Sequence, residues 1–333
     1  MSQVQIESSY VLVGAGQLGT RHLQALVGHA CQPLSIQVID PVQASLDMAR
    51  ERAVAVENGK GNAKLNYLNN LEEIASEIDF SVIATGAHCR LAVMRQLFSH
   101  ASVRYLLLEK ILFQSVEQVD QAIELIRQSG TEAFVNCPRR MFPIYQELRE
   151  LLKGSKRLSL VVEGSDWGLA CNAIHFIDLW SYLTGSTDYE LDVSTLSTAI
   201  LDSKRTGYKE VSGVLRGRCG DFSFQLQSTV SGSAEIQPLT VRVETEKFVI
   251  DVEESKGVCR IADLVEGTQL EKEFSILYQS QLTHLVADSL LTEGRCELTP
   301  FDESAALHKP LLSGLLAFFN EYDDVVRDHC PIT

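Results

Sequence analysis

The sequence predicts an α/β chain in which an N-terminal doubly wound parallel sheet is followed by an α/β domain with a large, open, mainly antiparallel sheet. Three observations carry this. The apolar run Tyr10-Val-Leu-Val13 leads straight into Gly14-Ala-Gly16-Gln-Leu-Gly19. Apolar stretches of strand length then alternate with helical periodicity up to about residue 137. Beyond that, short alternating segments follow one another without helices between them.

The glycine run is the anchor. G-x-G-x-x-G after a buried strand and before a helical pattern (Leu18, Leu23, Leu26, Val27) is what a dinucleotide requires. Gly14 permits the tight turn, Gly16 lets backbone approach a pyrophosphate, and Gly19 lets the helix pack closely on the sheet. The helix N-terminus offers N–H groups and partial positive charge to phosphates. A second strand over 35–39 ends in Asp40, 21 residues past Gly19, where a carboxylate can bind ribose hydroxyls. No arginine follows Asp40, and its charge opposes a 2′-phosphate, so NAD is expected in preference to NADP. This is the Rossmann arrangement.

Further along, the spacing predicts a helix over 42–56, a strand over 64–67, a helix capped by Asn69 or Asn70 running through Ile74 and Ile78, and a strand over 79–85. A helix over 88–98, a strand over 105–108, a helix over 115–128 and a strand over 133–136 complete a six-stranded parallel sheet. The chain ends of Val13, Ala84 and Leu108 leave the carboxyl edge, where ligands sit in such sheets. Lys110, just after Glu109, therefore falls on the cofactor side.

Pro138-Arg-Arg-Met-Phe-Pro143 breaks the alternation, so the dinucleotide domain is set at 1–137 and a substrate-binding and oligomerisation domain at 138–333. The second domain reads as helices over 144–152 and 171–183 and strands over 156–163, 191–201, 210–218, 222–230, 239–244, 248–252 and 258–264. Helices are expected on one face of this sheet and a partner subunit on the other. Two amphipathic helices, over 276–291 and 302–322, close the chain, the last a candidate to pack back on the first domain.

Composition narrows the functions. The 333 residues are 45% hydrophobic and carry a formal net charge of −15, which disfavours nucleic acid and anionic membrane as partners. No apolar run approaches the roughly 18 residues of a membrane span, and the N-terminus lacks the pattern of a signal peptide. A cytoplasmic location is expected. The eight cysteines form no C-x-x-C pair or zinc-like cluster, so free thiols and no metal are expected.

Taken together, Gly14-Ala-Gly16-Gln-Leu-Gly19-Thr-Arg-His22, Ile83-Ala-Thr85, Leu108-Glu109-Lys110 and Ile174-His175-Phe-Ile-Asp178 make the chain resemble the Gfo/Idh/MocA oxidoreductases, the glucose–fructose oxidoreductase and inositol dehydrogenase family, over nearly its full length. The resemblance implies Lys110 as the group contacting the reacting hydroxyl and His175 as the histidine facing the nicotinamide. The chemistry suits both types: imidazole titrates near neutral pH and can take a hydroxyl proton, and an ammonium can stabilise developing negative charge on oxygen. Gly14, Gly16, Gln17, Leu18, Gly19, Asp40, Thr85 and Glu109 are the candidate cofactor contacts. Asn172, Arg140 and Trp167 are the candidate substrate contacts. Adjacent Arg139 and Arg140 suggest an anionic group on the substrate, phosphate or carboxylate; inter-domain salt bridges in an acidic protein are the equal alternative. Trp167 and Trp180 flank the helix of His175, and either could stack on a sugar or pack in the core.

The chain also departs from the family pattern. Ile111 stands where many relatives have proline, and Thr85-Gly-Ala-His-Cys-Arg90 replaces a Thr-Pro-Asn motif. Cys171 occupies the position, four before His175, where the inositol dehydrogenase-like pattern has an acid, with Asn172 beside it. An amide orients a hydroxyl but takes no proton at neutral pH. Asp166 and Asp178 are the candidate replacements, Asp178 with an equally good structural reading. The resulting expectation is a sugar dehydrogenase or reductase using NAD, acting on a small-molecule sugar derivative, by resemblance a phosphorylated or nucleotide-linked one of surface-glycan biosynthesis. A homodimer or homotetramer is implied through the second sheet. A binding or regulatory protein that keeps the dinucleotide fold without turnover is the alternative, and an enzyme of elimination or hydrolysis with transient oxidation is a third.

Overall fold

The computed structural model describes residues 7–30, 32–56, 62–232 and 236–333. It divides into two compact units: Met1–Phe113 with Asp120–Pro138 and Leu277–Phe301, and Gln114–Val119 with Arg139–Ile276 and Asp302–Thr333.

In the first unit β1 (Ser8–Val13), α1 (Gln17–Gly28), β2 (Leu34–Ile39), α2 (Gln43–Val54), β3 (Ala63–Leu68), β4 (Glu77–Ile83), α3 (Ala87–His100), β5 (Ser102–Leu108), α4 (Val116–Ser129, its first four residues assigned to the second unit) and β6 (Glu132–Val135) follow in turn. The strands align 6-5-4-1-2-3, all parallel, so β1 and β4 lie side by side at the point where the order reverses. Strands buried on both faces must be apolar throughout. Tyr10–Val13 of β1 and Tyr105–Leu108 of β5 are accordingly buried. The helix expected from Asn69 to Ile78 does not form. Asn70 Oδ1 accepts the Glu72 N–H at 2.9 Å and Gln37 Oε1 accepts the Ala75 N–H at 2.7 Å, and β4 takes Ile78. A polar turn wins because too few residues remain for a helix that would repay its nucleation.

The second unit contains α5 (Pro143–Leu151), β7 (Leu158–Ser165), α6 (Leu169–Thr184), β8 (Glu190–Asp192), β9 (Leu201–Asp202), β10 (Lys209–Glu210), β11 (Gly213–Cys219), β12 (Phe222–Thr229), β13 (Thr240–Thr245), β14 (Phe248–Glu253), β15 (Val258–Asp263) and β16 (Thr268–Glu273). Eight of these strands form the order 16-15-14-13-7-12-11-8, antiparallel except for the parallel pair β7–β12. Buried and more exposed residues alternate along β13, the pattern of a sheet covered on one face. The single strand expected over 191–201 is two short ones, with an isolated bridge from Leu196 to Gly213 between them. Trp180, wholly buried, packs edge-on to Tyr189 and Phe224, with centroids at 6.0 and 5.4 Å. It is a core residue.

The chain then returns to the first unit with α7 (Thr283–Glu293) and β17 (Thr299–Pro300), which adds antiparallel to β6. The closing helix α8 (Phe301–Tyr322) lies almost wholly in the second unit. Among the described residues no helix is long and apolar enough to cross a membrane.

Helix α7 carries a titratable contact. The His284 ring stacks on His29 at 3.8 Å with an interplanar angle of 2°, and its Nδ1 is buried without a partner among the described residues. Burial, then the charge of His29, lowers the His284 pKa from 6.5 to about 4. The folded state thus favours the neutral ring, so this contribution to stability is present above the unfolded value and is lost as pH falls toward about 4. Chemical denaturation between these limits should show a steeper loss in wild type than in His284→Phe. Equal pH slopes would remove His284 as the cause.

Candidate active site

The glycine turn is shaped by its close contacts. Gly14 has φ +95° and donates its N–H to Ile39 O at 2.8 Å. A Cβ on Gly19 would lie 1.8 Å from Gly14 O, so strand and helix approach here only without a side chain. Around Gly16 a Cβ would meet nothing within 4 Å. Helix α1 starts there with no side chain capping its N–H groups, and Gly16 and Gln17 are exposed. Open backbone at an uncapped helix start fits a pyrophosphate. Gln17 Oε1 accepts from Arg52 at 3.0 Å, Arg52 also binds Thr20 Oγ1 at 2.6 Å, and Leu18 is half-buried beside them.

Asp40 closes the other side. Its Oδ2 accepts the Ala15 N–H at 2.8 Å and its Oδ1 the Val42 N–H at 2.9 Å. Each carboxylate oxygen has further acceptor capacity, so one side chain can clamp the turn and still receive hydroxyls. Thr85, half-buried after β4, has its Oγ1 buried without a partner among the described residues. These groups suit a dinucleotide.

A buried network fixes the end of β5. Gln279 Nε2 donates to Thr283 Oγ1 at 2.9 Å, and Thr283 Oγ1 lies 2.8 Å from His22 Nδ1. His22 Nε2 is 2.8 Å from Glu109 Oε1. Asn136 Nδ2 donates to Glu109 Oε1 at 2.5 Å and to Gln279 Oε1 at 2.7 Å. These bonds are all satisfied when the threonine hydroxyl donates to Nδ1 and the Nε2–H of His22 donates to an ionised Glu109. Burial alone would push the Glu109 carboxyl up, but the hydrogen bonds from His22 and Asn136 and the charge of Arg90 hold it below the usual carboxylate range. Glu109 is thus an anchor for the loop of Lys110, which is half-buried and joined to Ile111 by a cis peptide. Arg90, 1% exposed, ties that loop to the end of β4. It donates to Leu112 O at 2.7 Å and, at closer range, to Ile111 O and Thr85 O.

In the second unit α6 presents Asn172 and His175, both half-buried, on an otherwise buried helix. Asn172 Nδ2 donates to Trp167 O at 2.8 Å, and Trp167 Nε1 donates to Gln227 O at 2.8 Å. The half-buried Trp167 ring meets Phe176 edge-on at 5.5 Å.

The two arginines are paired with carboxylates. Arg140, 5% exposed, pairs with Asp178 at 2.9 Å and with Glu303 at 2.6 Å. Burial would lower its pKa, but the two carboxylates outweigh that and raise it. Arg139 binds Glu254 through two bonds at 2.7 and 2.8 Å and lies over the Phe176 ring at 4.1 Å. The charge of Arg140, expected to hold a substrate anion, is matched here by two acids of its own unit. Asp178 is likewise structural, and Asp166 accepts the backbone N–H of Ser231 at 3.2 Å and, more closely, its hydroxyl.

Neither metal nor disulfide enters this picture among the described residues. No group of three His, Cys, Asp or Glu is placed to hold a metal ion. The described cysteines are free, and burial pushes the Cys259 and Cys296 thiols up to about 11.

Residues 8–137 match the model of the Gfo/Idh/MocA oxidoreductase family, NAD-binding Rossmann fold. No curated protein matches the sequence. Among solved structures the chain is similar in fold to UDP-N-acetylglucosamine 3-dehydrogenase from Acidithiobacillus ferrooxidans, at 16% identity and TM-score 0.69 over 92% of this chain and 96% of that one. It is similar to the transcriptional regulator Gal80p of Kluyveromyces lactis, at 16% identity and TM-score 0.70 over 96% and 94%. A third likeness is biliverdin reductase from Synechocystis, solved with biliverdin and NADP+, at 12% identity and TM-score 0.68 over 92% and 98%.

Proposed function

We propose, for a chain that belongs through residues 8–137 to the Gfo/Idh/MocA oxidoreductases, that it is an NAD-dependent dehydrogenase or reductase acting on a secondary hydroxyl or keto group of a sugar derivative. The observation that carries the cofactor is the turn itself: open at Gly16, closed by Gly14 and Gly19, and clamped by Asp40. A bound nicotinamide supplies the hydride acceptor or donor. Lys110, on the loop anchored by Glu109, hydrogen-bonds the reacting oxygen and stabilises charge on it. His175 exchanges the hydroxyl proton. Asn172 orients a neighbouring hydroxyl, and Trp167 is the candidate stacking surface. Because Arg139 and Arg140 are both occupied by carboxylates, they give no support to a charged group at the reacting end. The likeness to a UDP-sugar dehydrogenase supports a sugar whose nucleotide, if present, lies away from the reacting carbon.

NAD is favoured over NADP by the Asp40 carboxylate, which would oppose a 2′-phosphate. Titration with NADH and NADPH should show tighter binding of NADH. Asp40→Asn, which keeps an acceptor but not the charge, should narrow that preference, and Asp40→Ala should weaken NADH roughly tenfold or more, about 1.4 kcal/mol per decade. Equal affinities in wild type would remove Asp40 as the discriminator. The protein is further read as a homodimer or homotetramer through the second unit's sheet, which sedimentation of the full chain tests.

A second reading has its own support. The likeness to a transcriptional regulator and the absence of an acid at Cys171 favour a sensor that binds NADH without turnover. Saturable NADH binding with no hydride exchange across a broad sugar panel would establish it.

A further inference from the structure

Position 171 carries no carboxyl group, but a carboxylate from elsewhere in the second unit reaches the start of its helix. Helix α6 begins after Gly168 with no cap from Gly168 itself. Its first N–H groups are met by Glu210, from β10. Glu210 Oε2 accepts the Ala170 N–H at 2.8 Å, and Oε1 accepts the Cys171 N–H at 3.3 Å. Gly168 makes room for this: a Cβ there would lie 3.0 Å from Glu210 Oε1 and 3.0 Å from Asn172 Nδ2. The carboxylate and the carboxamide thus flank one glycine. Of the acids weighed as replacements, Asp178 is committed to Arg140 and Asp166 to Ser231.

We propose that Glu210 takes the place of the absent acid as a positioning residue for Asn172 and His175. The inference rests on His175 as the proton-handling group in the function proposed above. Two effects act together. The bonds to Ala170 and Cys171 fix the first turn of α6 and so the face on which Cys171 and His175, four residues apart, both lie. The negative charge opposes the positive end of the helix dipole and favours the imidazolium at His175, about 6 Å further along the axis.

Burial, its largest influence, raises the Glu210 pKa against the lowering effect of hydrogen bonds from Cys171, Ala170 and Val211. The charged groups around it are paired. Lys209 bonds Asp202 at 2.8 Å, Arg327 bonds Asp323 at 2.8 Å, and in the turn before α5 Arg139 pairs with Glu254 and Arg140 with Glu303 and with Asp178 of α6. The Cys171 and Cys330 thiols are buried, and burial raises the latter's pKa. Glu210 is the acid bonded to the start of this helix.

The test is the titration of the His175 imidazole in the full chain by NMR, with the resonance assigned by His175→Asn. It needs no substrate. Glu210→Gln, which keeps the shape but loses the charge, is expected to lower the midpoint by about half a unit, and Glu210→Asp, which draws the charge back, to lower it less. A purely structural cap would reduce thermal stability and leave the midpoint alone. An unchanged midpoint in Glu210→Gln overturns the proposal; should that variant fail to fold, an unchanged midpoint in Glu210→Asp does so. A shifted midpoint in a protein that turns over no sugar would support the Glu210 coupling while removing the dehydrogenase reading, so the two failures are distinguishable.

Discussion

Gly19→Ala is expected to destroy dinucleotide binding and to cost about 3 kcal/mol or more of stability, because the added methyl overpacks a contact between backbone segments. The new Cβ would stand 1.8 Å from Gly14 O and 2.9 Å from Gly14 C. No rotamer can relieve this, since Cβ is fixed to the backbone. The turn at Gly14 cannot move freely either: its N–H is bonded to Ile39 O, and Asp40 holds Ala15. Gly16→Ala is the matched control. At φ −69° alanine is allowed, and its Cβ meets no atom within 4 Å. It should leave the melting temperature nearly unchanged and weaken NADH alone. If Gly19→Ala instead melts like wild type, the close approach of α1 to β1 is wrong.

Arg140→Ala is expected to cost about 3–5 kcal/mol, the usual consequence of leaving buried charges without their partner. Asp178, with its side chain 1% exposed, would lose the guanidinium that stands 2.9 Å from it. Glu303 is more exposed and would suffer less. The double variant Arg140→Met/Asp178→Leu should recover part of the loss, because removing both members of a buried pair is cheaper than removing one. A substrate-binding Arg140 would behave differently, with KM rising and stability unchanged. Thermal unfolding of Arg140→Ala therefore decides whether this arginine serves the fold or the ligand.

These residues show where sequence reasoning held and where it stopped. The cofactor side was legible because its parts are local. The turn lies within Gly14–Gly19, Asp40 ends the next strand, and alternating strands and helices mark a parallel sheet, whose order 6-5-4-1-2-3 only the fold shows. Arg139 and Arg140 were open to misreading because two neighbouring guanidinium groups look alike whether they await a ligand or a carboxylate. The partners of Arg140 are Asp178, 38 residues away, and Glu303, 163 residues away, and that of Arg139 is Glu254, 115 residues away. Glu210 was illegible for the same reason: nothing in Lys209-Glu210 marks a helix cap for a segment 40 residues earlier. The network through His22 to Glu109 spans 261 residues, from His22 to Thr283, and His22 was visible only as part of a motif. Strand β16 escaped because Thr268–Glu273 is an exposed edge whose charges replace apolar alternation.

The most direct test of the central claim is hydride transfer itself. The full chain is incubated with NAD and a panel of uncharged, phosphorylated and nucleotide-linked sugars, and nicotinamide absorbance is followed for wild type beside Lys110→Ala. NADH is expected to appear with at least one sugar in wild type, and the rate to fall by about 100-fold or more in Lys110→Ala, the scale expected when a group stabilising charge on the reacting oxygen is removed. Turnover by Lys110→Ala at the wild-type rate would contradict the proposed function, as would a chain that binds neither NAD nor NADH.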